Sequence, residues 1–276
     1  MAETEKRQTS VRGRWLFNGI WIGSSLLLGI LLLVPILALL IYPQLHQLLG
    51  LAVSRELLEA LRVTLLTSGT SLFCIFLLGL PSAYALSRFS GRFRFMIDFF
   101  LELPMAFPSL VAGIALLLAF GRRGLFGQLL LTWDIRITFT PLAVILVHLF
   151  VLTPFFVRRV AVLFDQVDRR LEEAAQLLGG GAFYTLFHVT LPLCRRALAA
   201  EAIMVFAQSL GMFGAVILFA GNLPGRTRTL TLAIYDAFES SPDQAFGIAC
   251  LLLIGSAVLL LCARLLLQRR QLPEAV

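Results

Sequence analysis

The sequence predicts an all-α polytopic membrane protein with about six transmembrane helices. Hydrophobic residues make up 59% of the 276-residue chain and charged residues only 14%, whereas soluble domains average about 25% charged residues. Several uncharged runs reach the roughly 20 apolar residues that a helix needs to cross a bilayer. A chain of this composition is expected to reside in lipid.

Six runs without Asp, Glu, Lys or Arg are candidate spans. They cover residues 15–41, 63–87, 103–121, 137–157, 202–225 and 244–263. Pro104 and Pro108 interrupt the third run, and glycines with Asn222 interrupt the fifth, although membrane helices tolerate such residues when neighbours satisfy the freed backbone groups. The first run exceeds the roughly 7 to 15 apolar residues of a signal peptide, so we expect a retained anchor.

Lys and Arg are distributed unevenly among the connections, which predicts the orientation. With a cytoplasmic N-terminus, 16 of the 23 Lys and Arg fall inside, within residues 6–14, 88–94, 158–196 and 264–270. The outside holds Arg55, Arg62, Arg122, Arg123, Arg136, Arg226 and Arg228. We therefore expect cytoplasmic tails at 1–14 and 269–276 around a transmembrane domain at 15–268. The net charge of +7 requires no nucleic-acid partner, because anionic membrane lipid attracts basic inner loops.

A polar connection between the fourth and fifth spans reads EAAQLLGGGAFYTLFHVTLP from residue 173 to 192. Leu171, Ala174, Ala175 and Leu178 recur at helical spacing and form one apolar stripe. Three glycines at 179–181 stop this helix. A second helical stretch is predicted over 183–190, and Pro192 marks the turn into the next span. The alternative is an amphipathic helix that lies on the membrane surface.

This connection resembles the EAA loop of ABC importer permeases, here placed at residues 169–196. The pattern of that family falls on Glu173, Ala174, Ala175, Gly179, Val189, Leu191 and Pro192, with Val189 in place of isoleucine as the one departure. The resemblance implies a surface that couples the permease to an ATPase. The implied coupling residues are Glu173, Ala174, Ala175, Gly179, Phe183, Leu191 and Pro192.

The sequence shows no catalytic or metal-binding cluster. His46, His148 and His188 are scattered over an outer loop, a span and the inner loop, which disfavours a shared metal site. No G-x-x-x-x-G-K-[ST] phosphate loop is present, and the four cysteines lack C-x-x-C spacing. We expect a non-catalytic chain without its own cofactor, so that ATP and Mg are bound by a separate ATPase subunit.

Polar residues near the spans are few. Asp98, Glu102 and Glu201 lie near cytoplasmic ends, where arginines such as Arg94 and Arg196 can pair with them, rather than in the buried relay of a proton-coupled transporter. Candidate pathway residues in the fifth span are Gln208, Ser209, Gly211 and Gly214. Small residues also allow close helix packing, so packing and pathway roles remain alternatives.

Four segments refine the resemblance: LPMAFPSLVAG at 103–113, GRRGLFG at 121–127, SLGMFGA at 209–215 and GNLPGRTRTL at 221–230. They are similar to the molybdate and tungstate branch of type I importers, with sulfate permeases close behind. Met212 departs from the acidic residue usual in those relatives. The additional first span resembles sulfate-type permeases and keeps a sulfate or thiosulfate importer open as the alternative.

This resemblance implies the type I ABC importer permease fold in a bacterial or archaeal cytoplasmic membrane. It also implies a homodimer with one central pathway, two ATP-binding cassette subunits, and a periplasmic or lipid-anchored oxyanion-binding protein. Four outer arginines, Arg122, Arg123, Arg226 and Arg228, are candidates for attracting anions or docking that protein; the alternative is ordinary solvated loop charge.

Two other classes remain as alternatives: a stand-alone channel or secondary transporter, and a membrane enzyme or structural anchor of a larger complex. A stand-alone channel or secondary transporter would need neither the EAA spacing nor an ATPase. A membrane enzyme would need clustered His, Asp, Glu or Ser at one membrane face, which the sequence does not show. Neighbouring genes for an ATPase and a secreted binding protein would separate these classes.

Overall fold

The computed structural model describes residues 2–43, 50 and 54–268. Within these residues the chain is helical throughout, with turns between helices, which confirms the predicted all-α class. The helices are α1 Ala2–Ile41, α2 Arg55–Arg88, α3 Gly91–Ala106, α4 Ser109–Phe120, α5 Gly127–Thr132, α6 Pro141–Asp165, α7 Arg169–Leu177, α8 Ala182–Thr185, α9 Leu191–Leu210, α10 Gly214–Ala220, α11 Leu230–Ser240 and α12 Pro242–Gln268. A π-helical segment, Leu186–Thr190, lies between α8 and α9.

Four helices in the described part are long and apolar enough to cross a bilayer. They are Trp21–Ile41 within α1, the whole of α2, the whole of α6, and Pro242–Leu265 within α12. Two more spans exist if α3 with α4 and α8–α9 with α10 each count as one, but these pairs bend by 108° and 64°. The six predicted spans are thus four continuous helices and two broken ones.

The two breaks fall in the runs that the sequence marks as interrupted. Pro108 has no amide hydrogen and disfavours helical geometry in the residue before it. Phe107 accordingly has φ −73° and ψ 130°, and it ends α3. Pro104 remains inside the last turn of α3. The proline at 108 therefore produces the sharp bend between α3 and α4.

The fifth predicted span is shorter than its uncharged run. The α9 helix ends at Leu210, and α10 ends before Gly221, whose φ of 71° is a conformation that glycine adopts without strain. Asn222 consequently lies in the turn after α10 and not inside a span, which corrects the prediction from the sequence.

The core forms where α2 packs along α6. Ile75, Phe156 and Val160 are fully buried there. Gly79 of α2 faces the Phe156 ring so closely that a Cβ at this position would lie 2.6 Å from Phe156 Cδ1. Because a small residue allows two helices to approach, Gly79 lets α2 and α6 form the frame to which the other helices attach.

The two half-length helices α4 and α10 pack against each other. A Cβ on Gly113 of α4 would lie 2.9 Å from the Cα of Ala215 in α10. Ala112, Val216 and Phe219 are buried in the same cluster. The second halves of both broken spans therefore meet in one tightly packed contact.

Pro192 does not mark a turn, contrary to the prediction. The helix continues from Ala182 to Leu210 through the π-helical segment. The Leu191 N–H donates to the Leu186 carbonyl, five residues earlier. A proline ring inside an α-helix clashes with a preceding carbonyl, and a wider π turn relieves such a clash without ending the helix. The chain thus enters α9 along one continuous axis.

Candidate functional site

An exposed apolar surface lies on α7 and α8. Leu177 is 89% exposed, Leu178 90% and Phe183 80%, and Tyr184 and Phe187 are also exposed. We call these five residues the coupling surface. Contiguous exposed apolar side chains mark a site of protein or membrane contact. This part of the molecule is therefore a candidate contact site for a protein or for the membrane surface.

The glycine turn that separates α7 from α8 shapes this surface. Gly179 has a φ of 89°, in the region that side-chain-bearing residues rarely adopt. A Cβ on Gly180 would lie 2.8 Å from both the Ala175 carbonyl oxygen and Tyr184 Cδ1. The glycine stop predicted at 179–181 is confirmed, and its second glycine lets α8 fold back closely onto α7.

The apolar stripe predicted on α7 faces outward. Leu171 and Ala174 are exposed and Ala175 is half-buried, while Glu173 is exposed beside them. The buried residue of α7 is Glu172. The structure therefore brings the predicted coupling residues of α7 and α8 to one open surface, whereas Leu191 and Pro192 lie farther along, at the start of α9.

Glu172 is the residue of this loop that the sequence does not single out. Its carboxylate accepts from Arg88 Nη2 and from Thr190 Oγ1 at 2.6 Å. Asp168 caps α7 by accepting from the Arg170 N–H at 3.0 Å. The partners Arg88 and Thr190 lie 84 and 18 residues away, so only the tertiary structure reveals this network.

Ion pairs hold the helix ends near α7. Arg94 pairs with Asp98 at 3.8 Å, as expected, and more closely with Asp165 at 2.9 Å. Arg158 pairs with Glu102 at 2.7 Å. The basic partner of Glu201 is Arg159, at 2.7 Å, where the sequence suggested an arginine such as Arg196. These carboxylates thus join α3, α6 and α9 to one another.

The candidate pathway residues fall into two groups. Gln208 is exposed, and its Oε1 accepts from Arg159 Nη2 at 3.1 Å; Gly211 is exposed where α9 ends. Ser209 is buried and donates to the Phe206 carbonyl at 2.6 Å. Gly214 is buried at the start of α10. Gln208 and Gly211 are thus exposed, whereas Ser209 and Gly214 are buried against neighbouring parts of the chain.

The four arginines predicted to lie outside have different surroundings in the structure. Arg122 and Arg123 are exposed in the turn between α4 and α5. Arg226 is exposed and, with Arg62, borders a cavity of about 360 Å³. Arg228 instead pairs with Asp236 at 3.0 Å and donates to the Asn222 side chain. Arg228 is therefore part of the internal structure of the turn after α10.

The histidines do not meet in the described part of the chain. His148 is buried in α6, with its Nδ1 3.1 Å from the Ser71 hydroxyl. His188 lies in the π-helical segment and stacks on Tyr184 at 4.3 Å between ring centroids. His46 falls outside the described residues. Among the residues described, no three His, Cys, Asp or Glu side chains are grouped as a metal site.

The fold is that of a polytopic, all-helical membrane protein with an exposed loop between α6 and α9. The chain belongs to the family of binding-protein-dependent transport system inner membrane components, which matches residues 75–271. It is a multi-pass inner membrane protein with the fold of an ABC importer permease.

Several relatives are similar over most of the chain. A probable transport system permease protein NifC of Clostridium pasteurianum is 32% identical, over 84% of this chain and 81% of its own. A molybdenum transport system permease protein ModB of Mycobacterium tuberculosis is 35% identical over 82% and 86%. A sulfate transport system permease protein CysW of Synechococcus elongatus is 33% identical over 78% and 76%.

Solved structures share the fold at low sequence identity. A bacterial ABC transporter involved in the import of alginate superposes with a TM-score of 0.75 at 16% identity, covering 97% of this chain and 100% of the other. The MetNI methionine ABC transporter, in an inward-facing conformation, gives 0.59 at 17% identity, covering 76% and 94%.

Proposed function

We propose that this chain is the permease subunit of an ATP-driven importer for a tetrahedral oxyanion, with molybdate or tungstate as the substrate. The observation that carries the importer class is the coupling surface, an exposed apolar patch on a loop of a binding-protein-dependent permease. The molybdenum permease ModB, 35% identical over 82% of the chain, supports the substrate.

The coupling surface receives the ATPase in this proposal. Leu177, Leu178 and Phe183 insert apolar side chains into the partner, and burial of this area stabilises the contact. The loop belongs to the set of connections that carries most of the Lys and Arg, which supports a cytoplasmic position for it. Two ATP-binding cassette subunits then bind ATP and Mg beneath a homodimer of this chain, while this chain catalyses no reaction.

An outer binding protein delivers the oxyanion to the opposite end. Arg122, Arg123 and Arg226 are exposed there and supply positive potential for an anionic ligand or an acidic docking face. The six uncharged runs contain no Asp, Glu, Lys or Arg that could form a concentrated anion site, so we assign selection of the anion to the binding protein. The permease supplies the gated route.

Sulfate is the second candidate. The sulfate permease CysW of Synechococcus elongatus is 33% identical over 78% of the chain, close to the molybdenum relatives. Sulfate shares the tetrahedral shape and double charge of molybdate, so the permease fold alone accommodates both. Discrimination rests on size and on hydrogen-bond donors in the binding protein.

Gene deletion separates the two substrates. Loss of a molybdate importer is expected to lower molybdoenzyme activity in medium with trace molybdate, and high external molybdate restores it by a less selective route. Molybdoenzyme activity and growth on limiting sulfate are measured in parallel. A sulfur requirement with unaffected molybdoenzymes would replace molybdate by sulfate.

A further inference from the structure

A buried carboxylate fastens α7 to the membrane helices. Glu172 lies in the first turn of α7 and is 5% exposed, although the rest of α7 is mostly open. Charged side chains are buried at a large cost unless they are paired and hydrogen-bonded. The position of Glu172 therefore depends on the groups that its carboxylate contacts.

The first of those groups is Arg88, the last residue of α2. Its Nη2 donates to Glu172, and its guanidinium lies 5.0 Å above the centre of the Tyr84 ring. Arg88 Nε and Nη1 are buried without a hydrogen-bond partner among the described residues. The Arg88 side chain is 21% exposed and that of Glu172 only 6%, so separating them would leave a buried carboxylate without its counter-ion.

The second group is Thr190, the last residue of the π-helical segment. Its hydroxyl is fully buried and donates to the same Glu172 oxygen that Arg88 contacts. A parallel link joins Arg169, the first residue of α7, to the Ser87 carbonyl at 3.4 Å. The start of α7 is thus joined by side chains to both α2 and the helix that continues into α9.

The C-terminal end of α7 is exposed, unlike Glu172 in its first turn. It ends at the glycine turn, next to Leu177 and Leu178, which are the most exposed residues of the coupling surface. One end of this short helix is therefore fixed to two membrane helices, and the other end presents apolar side chains. A force applied at the exposed end acts on a helix whose first turn cannot move independently of α2 and α9.

We infer that Glu172 is a positioning residue that transmits displacement of the coupling surface to α2 and α9 together. This inference rests on the proposed ATPase contact. Since α2 packs along α6, a movement of Arg88 shifts the α2–α6 frame, while Thr190 carries the same movement into the broken span formed by α9 and α10. Glu172 touches no transported solute and acts through its two partners.

A conservative substitution tests the link without leaving a charge unpaired. Thr190→Val removes the hydroxyl and keeps the branched shape, whereas Thr190→Ser retains the hydroxyl. The matched control is Thr185→Val, because Thr185 is also fully buried and its hydroxyl bonds only locally, to the Gly181 carbonyl at 3.1 Å. Glu172→Gln removes the charge itself, and Glu56→Gln at the far end of α2 is its control.

Each variant is reconstituted in proteoliposomes with the ATPase subunits and the binding protein. Three quantities are measured: retention of the ATPase, ATP hydrolysis, and uptake of radioactive molybdate and sulfate. Thr190→Val is expected to retain the ATPase and hydrolyse ATP but to lower uptake per ATP by about fivefold or more, the lower end of coupling between linked sites. Thr190→Ser and Thr185→Val are expected to keep the uptake per ATP of the unaltered chain. Glu172→Gln is expected to lower uptake per ATP more than Thr190→Val does.

Unchanged uptake per ATP in Thr190→Val and Glu172→Gln would overturn the inference. Equal losses in Thr190→Val and Thr185→Val would also overturn it, because the effect would then belong to packing of the segment. If Glu172→Gln fails to insert, the two Thr190 variants decide. Failure of the unaltered chain to retain the ATPase would overturn the proposed function itself, a result distinct from a changed ratio in a variant complex.

Discussion

Gly214 lies against Ser109 so closely that a Cβ on Gly214 would be 2.5 Å from the Ser109 hydroxyl oxygen. These residues begin α10 and α4, the second halves of the two broken spans. The absence of a side chain at position 214 thus sets how closely the two half-helices approach at their starts. Among the candidate pathway residues, Gly214 therefore has a structural role in the packing of α10 against α4.

Enlarging Gly214 should destabilise the bundle. Gly214→Val is expected to lower the free energy of unfolding by about 1–3 kcal/mol, as overpacking of a close contact does. Thermal unfolding of the purified permease measures the change. Gly211→Ala is the matched control, since a Cβ there would meet only the Gln208 carbonyl at 3.7 Å. Equal unfolding temperatures for the two variants would contradict the packing role.

Replacing Gly179 should disturb the turn between α7 and α8. Gly179→Asp forces a side-chain-bearing residue to a φ of 89° and places a charge beside the coupling surface. We expect normal insertion, because the change lies outside the spans, with transport lost or uncoupled from ATP hydrolysis. Gly181→Asp is the control, because it adds the same charge at a φ of −71° and so separates the effect of the charge from that of the backbone conformation. Normal uptake by Gly179→Asp at normal expression would refute a coupling role for the turn.

A charge on the coupling surface should prevent ATPase binding without unfolding the permease. Leu178→Asp changes a residue that is 90% exposed, so little packing is lost within this chain. Co-purification with the ATPase subunits should fall sharply while the unfolding temperature stays the same. Leu125→Asp, at a residue 85% exposed between α4 and α5, should retain the ATPase. Retention by Leu178→Asp would place the ATPase contact elsewhere.

The orientation can be tested by labelling cysteines in intact cells. A cysteine replacing Gln128 in α5 should react with a membrane-impermeant reagent, and one replacing Leu177 in α7 should not, because the distribution of Lys and Arg predicts that α7 lies inside. Both positions are exposed. The background needs Cys262 replaced, since it is exposed. The reverse labelling pattern would invert the topology.

The sequence predicts those features that depend on neighbouring residues. Uncharged runs identify the four continuous spans because the part of each helix that crosses the apolar core must be predominantly apolar over about 20 residues. The glycines at 179–181 identify the end of the helix, because the φ of 89° at Gly179 requires a glycine at that position itself and not a contact with distant residues. Pro104 and Pro108 indicate an interrupted span. The angle between α3 and α4, in contrast, depends on what these helices pack against.

Features that depend on contacts between distant residues could not be predicted from the sequence. Glu172 lies off the apolar stripe of α7, and nothing local indicates that Arg88 and Thr190 will bury its carboxylate. Arg228 resembles the other outer arginines until Asp236 is brought to 3.0 Å. Pro192 has the form of a helix boundary, and only the π-helical segment before it shows that the helix continues.

The π-helical segment also determines the direction in which the side chains of α8 point relative to those of α9. An α-helix turns about 100° for each residue, and a π turn accommodates one extra residue in the same helix. Phe183 and Tyr184, which lie before the segment in α8, are therefore offset by about that angle from where an uninterrupted α-helix would place them relative to α9. Deleting one residue between 186 and 190 would keep the composition of the loop almost unchanged and yet aim these aromatic side chains in a different direction.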